Sequence, residues 1–443
     1  MNQKVAAAVR KFGKKTTQQK NTNVAVIGLG YVGLPLALLS ARKGYRVMGI
    51  DVDEKKIASI KTGISPFLDG AISRELLKTT LKAETDFAHV KEADIVIVCV
   101  PTPVLDDYSP DLGPLEGACA GLAPHLKKGA LVIIESTVNP GACESVVLPI
   151  LERLSNMKAG VDFMLSHCPE RINPGDTEWG VENIHRVAGS LTPEGLEKTV
   201  AFYSSIVSGT IHPMGSIKEA EAVKIIENTF RDINIAFVNE LAMSFHKLGI
   251  DITNVIKGAS TKPFAFMAHY PSCGVGGHCI PVDPYYLIAE GKRNGFNHKF
   301  LSLAREINNN MPTFTVDLLE ESLAEKGISI AGARIAVLGL AYKANVGDMR
   351  ESPSVKIIEE LKRRKAEPIA YDPYVLSRSH TESLAEALSG SAAALITTSH
   401  RDFSNLTPQD FLNHGVSIVI DGKNCLDKET YIMAGISYKG IGR

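Results

Sequence analysis

From residue 24 to about 215 the chain alternates short apolar runs with stretches of helical period. Val24-Ala-Val-Ile27, Arg46-Val-Met-Gly-Ile50, Asp94-Ile-Val-Ile-Val-Cys-Val100 and Leu131-Val-Ile-Ile134 are continuous apolar strands bounded by turn residues. That pattern fits a parallel sheet covered on both faces, where no strand position faces water. The helical stretches between them imply right-handed βαβ units. The period then changes. Val223, Ile226, Phe230, Ile233, Phe237, Leu241, Phe245 and Leu248 recur every three or four residues, so 216–249 is predicted to be one long amphipathic helix with a single apolar stripe, stopped at Gly249. Residues 299–326 read as another helix, with a break or kink expected at Pro312.

A second α/β segment begins near 333. Arg334-Ile-Ala-Val-Leu-Gly-Leu-Ala-Tyr-Lys343 echoes Val24-Ala-Val-Ile-Gly-Leu-Gly-Tyr-Val-Gly33: each is a strand, then Gly-Leu-(Gly/Ala)-Tyr, then a helix. Glu367–Tyr371, Ala393–Thr397 and Val416–Ile420 supply further strands. The expected fold is α/β: two Rossmann-like doubly wound domains joined by a central helical domain with a long helix. Its limits are 23–215, 216–326 and 327–443, after a basic extension at 1–22.

Composition narrows the class. A chain of 443 residues has ample length for several cores. With 22% charged residues and no low-complexity tract it is not a disordered protein. A net charge of -1 argues against nucleic-acid binding. No apolar run is long enough to span a membrane. The head, 1–22, carries six Lys/Arg and no acid, and lacks the apolar core of a secretory signal; it reads as a solvated extension rather than an anionic-surface contact. Seven scattered cysteines form no disulfide framework and suit a reducing cytoplasm. No ligand spacing suggests a metal.

Gly28-Leu-Gly30-Tyr31-Val32-Gly33 lies between a strand and a helix, where GxGxxG binds a dinucleotide. Gly28 permits the turn, Gly30 lets the backbone approach a pyrophosphate at the helix N-terminus, and Gly33 lets helix and strand pack closely. Asp51, ending the next strand, suits the ribose hydroxyls and repels a 2′-phosphate, so NAD is expected over NADP. Thr102, Ser136 and Thr137 follow later strands, at the sheet end that lines ligand crevices; each is either a cofactor or substrate contact or ordinary turn chemistry.

Gly274-Val-Gly276-Gly-His-Cys279-Ile-Pro-Val-Asp283-Pro284 is the most informative segment. Three glycines expose backbone N–H groups and permit close approach to a ligand, and the cysteine after them resembles an activated nucleophile. His278, Asp283 or a helix N-terminus can shift its protonation. Lys224 and Asn228, four apart, share a helix face beside the apolar stripe. They either donate to an oxyanion or form a solvated face, and spacing alone favours the latter. Glu170 is either a general base or a surface carboxylate.

Taken together, Gly28–Gly33, Glu135-Ser-Thr137, Pro169-Glu170, Lys224-xxx-Asn228, Gly276-Gly-His-Cys279 with Asp283, and Leu340-Ala-Tyr-Lys343 through Asp348-Met-Arg-Glu-Ser-Pro353 resemble the nucleotide-sugar 6-dehydrogenases over residues 23–440. The resemblance implies an NAD-dependent, four-electron oxidation of a sugar C6 alcohol to a carboxylate. In it Cys279 captures the aldehyde as a thiohemiacetal and then becomes a thioester. It implies that Lys224 and Asn228 stabilise oxyanions, and that Thr137, Glu170 and Asp283 position water and shuttle protons. It makes Arg171, Phe264, Gly276 and Lys343 sugar-nucleotide contacts, and Arg350 a contact to the cofactor phosphate. Pro174 and Val282 stand where the UDP-glucose branch has a glutamate and a lysine. Thr261-Lys-Pro-Phe264 and the cysteine segment are more similar to the UDP-N-acetylhexosamine branch. UDP-N-acetylglucosamine is therefore the favoured substrate and UDP-N-acetylmannosamine the next, for a cytoplasmic homodimer or higher homo-oligomer feeding polysaccharide or glycan synthesis. The rivals are a single-hydride hydroxyacid-type dehydrogenase and a non-catalytic nucleotide sensor.

Overall fold

A computed structural model describes residues 21–443 except 68, 69, 80, 106 and 173–177. Most of the basic extension and Pro174 therefore lie outside the described residues. The chain forms two compact units. One comprises the sequence up to Glu227 with Tyr285–Gly295; the other comprises Asn228–Pro284 with Phe296–Arg443.

The first unit holds an eight-stranded sheet: β1 (Asn23–Ile27), β2 (Arg46–Ile50), β3 (Lys82–Glu84), β4 (Ile95–Val98), β5 (Leu131–Ile134), β6 (Met164–His167), β7 (Arg186–Ser190) and β8 (Ile211–Pro213). Their order is β3-β2-β1-β4-β5-β6-β7-β8, parallel except where β7 meets β6. Six strands in the order 3-2-1-4-5-6 make the doubly wound dinucleotide fold, whose ligand crevice opens where the order reverses, between β1 and β4. Val24 and Val26 pack on one face and Ala25 and Ile27 on the other. Burial of both faces is why the run is apolar without alternation.

The second unit holds β9 (Arg334–Leu338), β10 (Glu367–Tyr371), β11 (Ala393–Ile396), β12 (Ile418–Asp421) and β13 (Ser437–Gly440), all parallel in the order β10-β9-β11-β12-β13. This is the other common doubly wound order, reversing between β9 and β11. The sequence echo is an echo of bonds. Gly28 N–H donates to Ile50 O and Gly339 N–H to Tyr371 O. Leu29 N–H donates to Asp51 Oδ2 (2.7 Å) and Leu340 N–H to Asp372 Oδ2 (2.6 Å). Asp372 is wholly buried and also accepts from Ala341 N–H, Tyr374 N–H and His400 Nε2.

Among the helices, α1 (Gly33–Arg42) follows the first glycine loop, α2 (Ile217–Leu248) is the long helix, α3 (Asp283–Arg293) follows the cysteine segment, α4 is Lys299–Glu325 and α5 Pro353–Arg363. Of the break or kink expected at Pro312, the break does not occur: α4 continues through it. An interior proline costs about 3 kcal/mol, but Met311, Val316, Leu318 and Leu319 around it are wholly buried, each contributing about 1.5–3 kcal/mol. The apolar stripe of α2 is left largely open. Ile226, Phe230, Phe237 and Leu248 are exposed, Phe237 at 55%, while Lys224, Asn228, Asp232 and Asn239 are buried. In the second unit that polar side is hydrogen-bonded to α4. Arg305 Nη1 donates to Asp232 Oδ1 at 2.5 Å, Asn308 to the same carboxylate at 2.8 Å, and Asn239 to Asn308 at 2.9 Å. Buried polar groups that are hydrogen-bonded in this way can pack inside the unit.

Candidate active site

In the loop between β1 and α1 the three glycines have different reasons. Gly28 has φ +87°, and a methyl there would lie 2.7 Å from Cys99 O. A methyl on Gly33 would lie 1.9 Å from Gly28 O. Both positions are closed to a side chain by backbone. Gly30 has nothing within 4 Å of the corresponding position. Packing among the described residues does not require that glycine, and the open position is compatible with a pyrophosphate against the backbone. Tyr31 stacks on Phe67, centroids 4.1 Å apart, and Val32 packs against the core. Asp51 is buried, and its Oδ2 accepts from Leu29 N–H and from Lys56 Nζ, each at 2.7 Å. The loop and the acidic residue at the end of β2 fit NAD.

At the far ends of β4 and β5 the three hydroxyls separate. Thr102 Oγ1 donates to Thr137 O at 2.6 Å and Ser136 Oγ to Val100 O at 2.7 Å, so both act as loop ties. Tyr286 reinforces them, donating to Thr102 O at 2.6 Å. The half-buried Thr137 hydroxyl has no partner among the described residues. Glu170 is 7% exposed, which excludes the surface-carboxylate alternative; Oε1 accepts from Ile172 N–H. Beneath it lies a cluster that the sequence reading missed. Arg186, wholly buried, donates to Glu135 Oε1 at 2.8 Å, and Tyr203 OH donates to the same oxygen. The available signal was an arginine inside an apolar strand, which requires a buried partner. Arg171 is committed to protein: its guanidinium binds Glu227 through two nitrogens and His185 O through the third.

On α2, Lys224 is 9% exposed, and no hydrogen bond or ion pair engages its ammonium among the described residues. The solvated-face alternative does not describe this residue. An ammonium largely removed from water without a partner is costly, and an anionic or oxyanionic ligand relieves that cost. One turn on, Asn228 Nδ2 donates to Asp283 Oδ2 at 2.6 Å. Asp283 opens α3, and its N–H and that of Val282 both donate to Cys279 O. The bond thus anchors the end of the cysteine segment to α2. Cys279 is half-buried. Cys99, Cys119, Cys143, Cys168 and Cys273 are buried, and burial pushes the thiols of Cys119 and Cys168 up to about 12, far from thiolate formation. The glycines before Cys279 have a reason within the fold as well. A methyl on Gly276 would lie 2.7 Å from Tyr342 Cβ, one on Gly277 (φ +92°) 2.7 Å from the Tyr342 ring, and one on Gly274 2.9 Å from Pro353.

Lys343 follows β9 at the reversal point of the second sheet, where ligand crevices open in such folds. Arg350 forks onto Asp348 (Nη2 to Oδ2 2.6 Å), and its carbonyl accepts from Gly277 N–H at 3.0 Å. Phe264 is 67% exposed, with Lys262 Nζ 4.8 Å from its ring centroid.

A doubly wound sheet with an open glycine position, a second doubly wound sheet and a half-exposed thiol segment define a dinucleotide-dependent oxidoreductase of two nucleotide folds. The chain belongs to the UDP-glucose/GDP-mannose dehydrogenase family: residues 22–207 match its NAD-binding domain, 218–310 its central domain and 336–428 its UDP-binding domain. It is an NAD-dependent nucleotide-sugar dehydrogenase. It is 38% identical over 427 residues to the UDP-N-acetyl-D-mannosamine dehydrogenase of Pyrococcus horikoshii, covering 95% of this chain and 99% of that protein. It is 37% identical to the UDP-N-acetyl-D-glucosamine 6-dehydrogenase of Pseudomonas aeruginosa, covering 93% and 98%. A solved UDP-D-ManNAc dehydrogenase structure from Pyrococcus horikoshii superposes with a TM-score of 0.90 at 37% identity, covering 95% and 99%. No helix among the described residues is long and apolar enough to cross a membrane.

Proposed function

We propose that this dehydrogenase oxidises the C6 alcohol of a UDP-N-acetylhexosamine to the carboxylate, with UDP-N-acetylglucosamine preferred and UDP-N-acetylmannosamine second. The Thr261–Phe264 and Gly274–Pro284 segments support the N-acetylhexosamine branch. The relatives' names support both epimers. Residues 23–215 take NAD, 216–326 carry the thiol and 327–443 bind the sugar nucleotide. Bound NAD supplies the hydride acceptor, needed once for each of two oxidations. Cys279 thiolate adds to the C6 aldehyde, forming a C–S bond, and the resulting oxyanion takes a proton to give the thiohemiacetal. Loss of the second hydride and the hydroxyl proton leaves a thioester. Water adds to it, and the C–S bond breaks to return the thiolate and release the acid. Lys224 and Asn228 donate hydrogen bonds to the C6 oxygen as charge develops; Thr137, Glu170 and Asp283 hold water and move protons. Gly276 and Lys343 contact the sugar nucleotide.

One observation carries the reading: the Asn228–Asp283 bond anchors the segment bearing Cys279 to the helix where Lys224, one turn away, is buried without a partner among the described residues. The test is NADH release from UDP-N-acetylglucosamine, UDP-N-acetylmannosamine, UDP-glucose and UDP-galactose. The kcat/KM for UDP-N-acetylglucosamine is expected to exceed that for UDP-glucose by about 100-fold, the scale of a pocket's discrimination between related substrates. A preference for UDP-glucose would overturn the assignment.

The exposed stripe of α2, with the family's pairing through its central domain, supports a homodimer through that helix. Large exposed apolar patches mark such contacts. A Phe237→Glu variant is expected to sediment as a monomer at concentrations where the parent is dimeric; unchanged sedimentation would remove the helix from the interface. The reduced state of all seven cysteines suits the cytoplasm.

A further inference from the structure

Three residues before Cys279 are glycines for a reason that lies in the second doubly wound sheet. Gly276 and Gly277 lie against one side chain, Tyr342, and a methyl on either would meet it at 2.7 Å. Gly276 also faces Pro353 Cδ and Glu351 O at 2.8 and 2.9 Å, and Gly274 faces Pro353 Cβ at 2.9 Å. The contact is bonded as well as packed, since Gly277 N–H donates to Arg350 O at 3.0 Å. Tyr342 is itself held, its N–H donating to Asp348 O at 2.9 Å and so closing the 342–348 turn. Farther back, Cys273 N–H donates to Gly422 O and Ser272 N–H to Asn239 Oδ1. The thiol segment is therefore moulded onto the turn between β9 and α5, with the Tyr342 ring against Gly277, two residues before Cys279. The next residue after that ring is Lys343.

We propose that Tyr342 is a positioning residue: its ring sets where Cys279 stands, and because it adjoins Lys343, one turn of chain holds both the sugar nucleotide and the thiol. This rests on Cys279 being the nucleophile. Removing the ring leaves a gap against Gly277, in a segment whose glycines are the residues least able to hold their own conformation. A thiol displaced by about 1 Å loses on the order of 100-fold in rate.

The test compares Tyr342→Ala, Tyr342→Leu and Tyr342→Phe with the parent in NADH formed per sugar nucleotide consumed, KM for NAD, and binding of UDP by calorimetry. In the alanine and leucine variants, kcat to the acid is expected to fall by about 100-fold. NADH per sugar falls from two toward one as aldehyde escapes, while KM for NAD and UDP affinity stay within about threefold of the parent. Phenylalanine restores the parent values. Parent-like stoichiometry and turnover in both truncated variants would overturn the proposal. Should neither fold, alkylation of Cys279 by iodoacetamide in the parent and Tyr342→Phe decides. UDP alone must change its rate by about fivefold or more in both proteins, and an unchanged rate in either overturns the proposal. If Cys279→Ser itself forms two NADH per sugar, it is the nucleophile assignment that has failed; if that variant stops short of the acid and Tyr342→Ala is normal, only the positioning role has.

Discussion

A Cys279→Ser variant is expected to lose carboxylate formation by at least about 10³-fold, the scale seen when a covalent nucleophile is removed. A free thiol has a pKa of about 8.5, so a useful fraction is thiolate near neutrality, whereas a serine hydroxyl is essentially never ionised there. The first oxidation needs no sulfur. The variant should therefore still form one NADH per sugar and release an aldehyde that a hydrazine reagent traps. No other cysteine can substitute: Cys99, Cys119, Cys143, Cys168 and Cys273 are buried, Cys425 is half-buried beside Asp421, and burial raises the thiol pKa of all six. Normal turnover to the acid by the serine variant would end the covalent mechanism. A value of one NADH per sugar in the parent would favour the single-hydride alternative.

The second large effect separates two glycines of one motif. Gly33→Ala puts a methyl 1.9 Å from Gly28 O, a backbone atom at the start of a core helix. Overpacking of that kind costs about 1–3 kcal/mol and more where backbone must shift. At about 2–4 °C per kcal/mol for a unit of this size, a melting-temperature loss of about 5–10 °C is expected, with NAD binding lost. Gly30→Ala meets nothing within 4 Å. Its melting temperature should match the parent's, while KM for NAD rises by about 100-fold, or roughly 3 kcal/mol, and KM for the sugar nucleotide is unchanged. A Gly30→Ala enzyme with parent KM for NAD would mean that the backbone there does not approach the cofactor.

Much of this was legible before any coordinates. Strands covered on both faces must be apolar throughout, so the first sheet could be read residue by residue, and Gly-Leu at 28–29 and 339–340 marked both folds because each turn repeats the same backbone bond to the neighbouring strand. The first glycine motif could be assigned glycine by glycine, since each role is local. Two features were not legible. Which side of α2 is buried, and whether Pro312 breaks its helix, cannot be judged from one helix alone, because what a helix buries depends on its neighbours. Here a network through Asp232, Arg305, Asn308 and Asn239 turned the polar side inward, and packing around Met311 and Val316 carried α4 past its proline.

What the amino-acid order alone determined, then, is everything that depends on near neighbours along the chain: the strands, the dinucleotide turn, the acidic residue after β2 and the thiol beside its glycines. Tertiary structure decided which polar groups are occupied and which are left over. Thr102 and Ser136 donate to neighbouring loop carbonyls, Arg171 binds Glu227 and His185 O, Lys224 is buried without a partner among the described residues, and the glycines at 274, 276 and 277 lie against Tyr342 and Pro353. The reason is that a hydrogen bond or a close contact is satisfied by whatever the fold brings within about 3 Å, and residues distant in sequence meet there only after the sheets have formed.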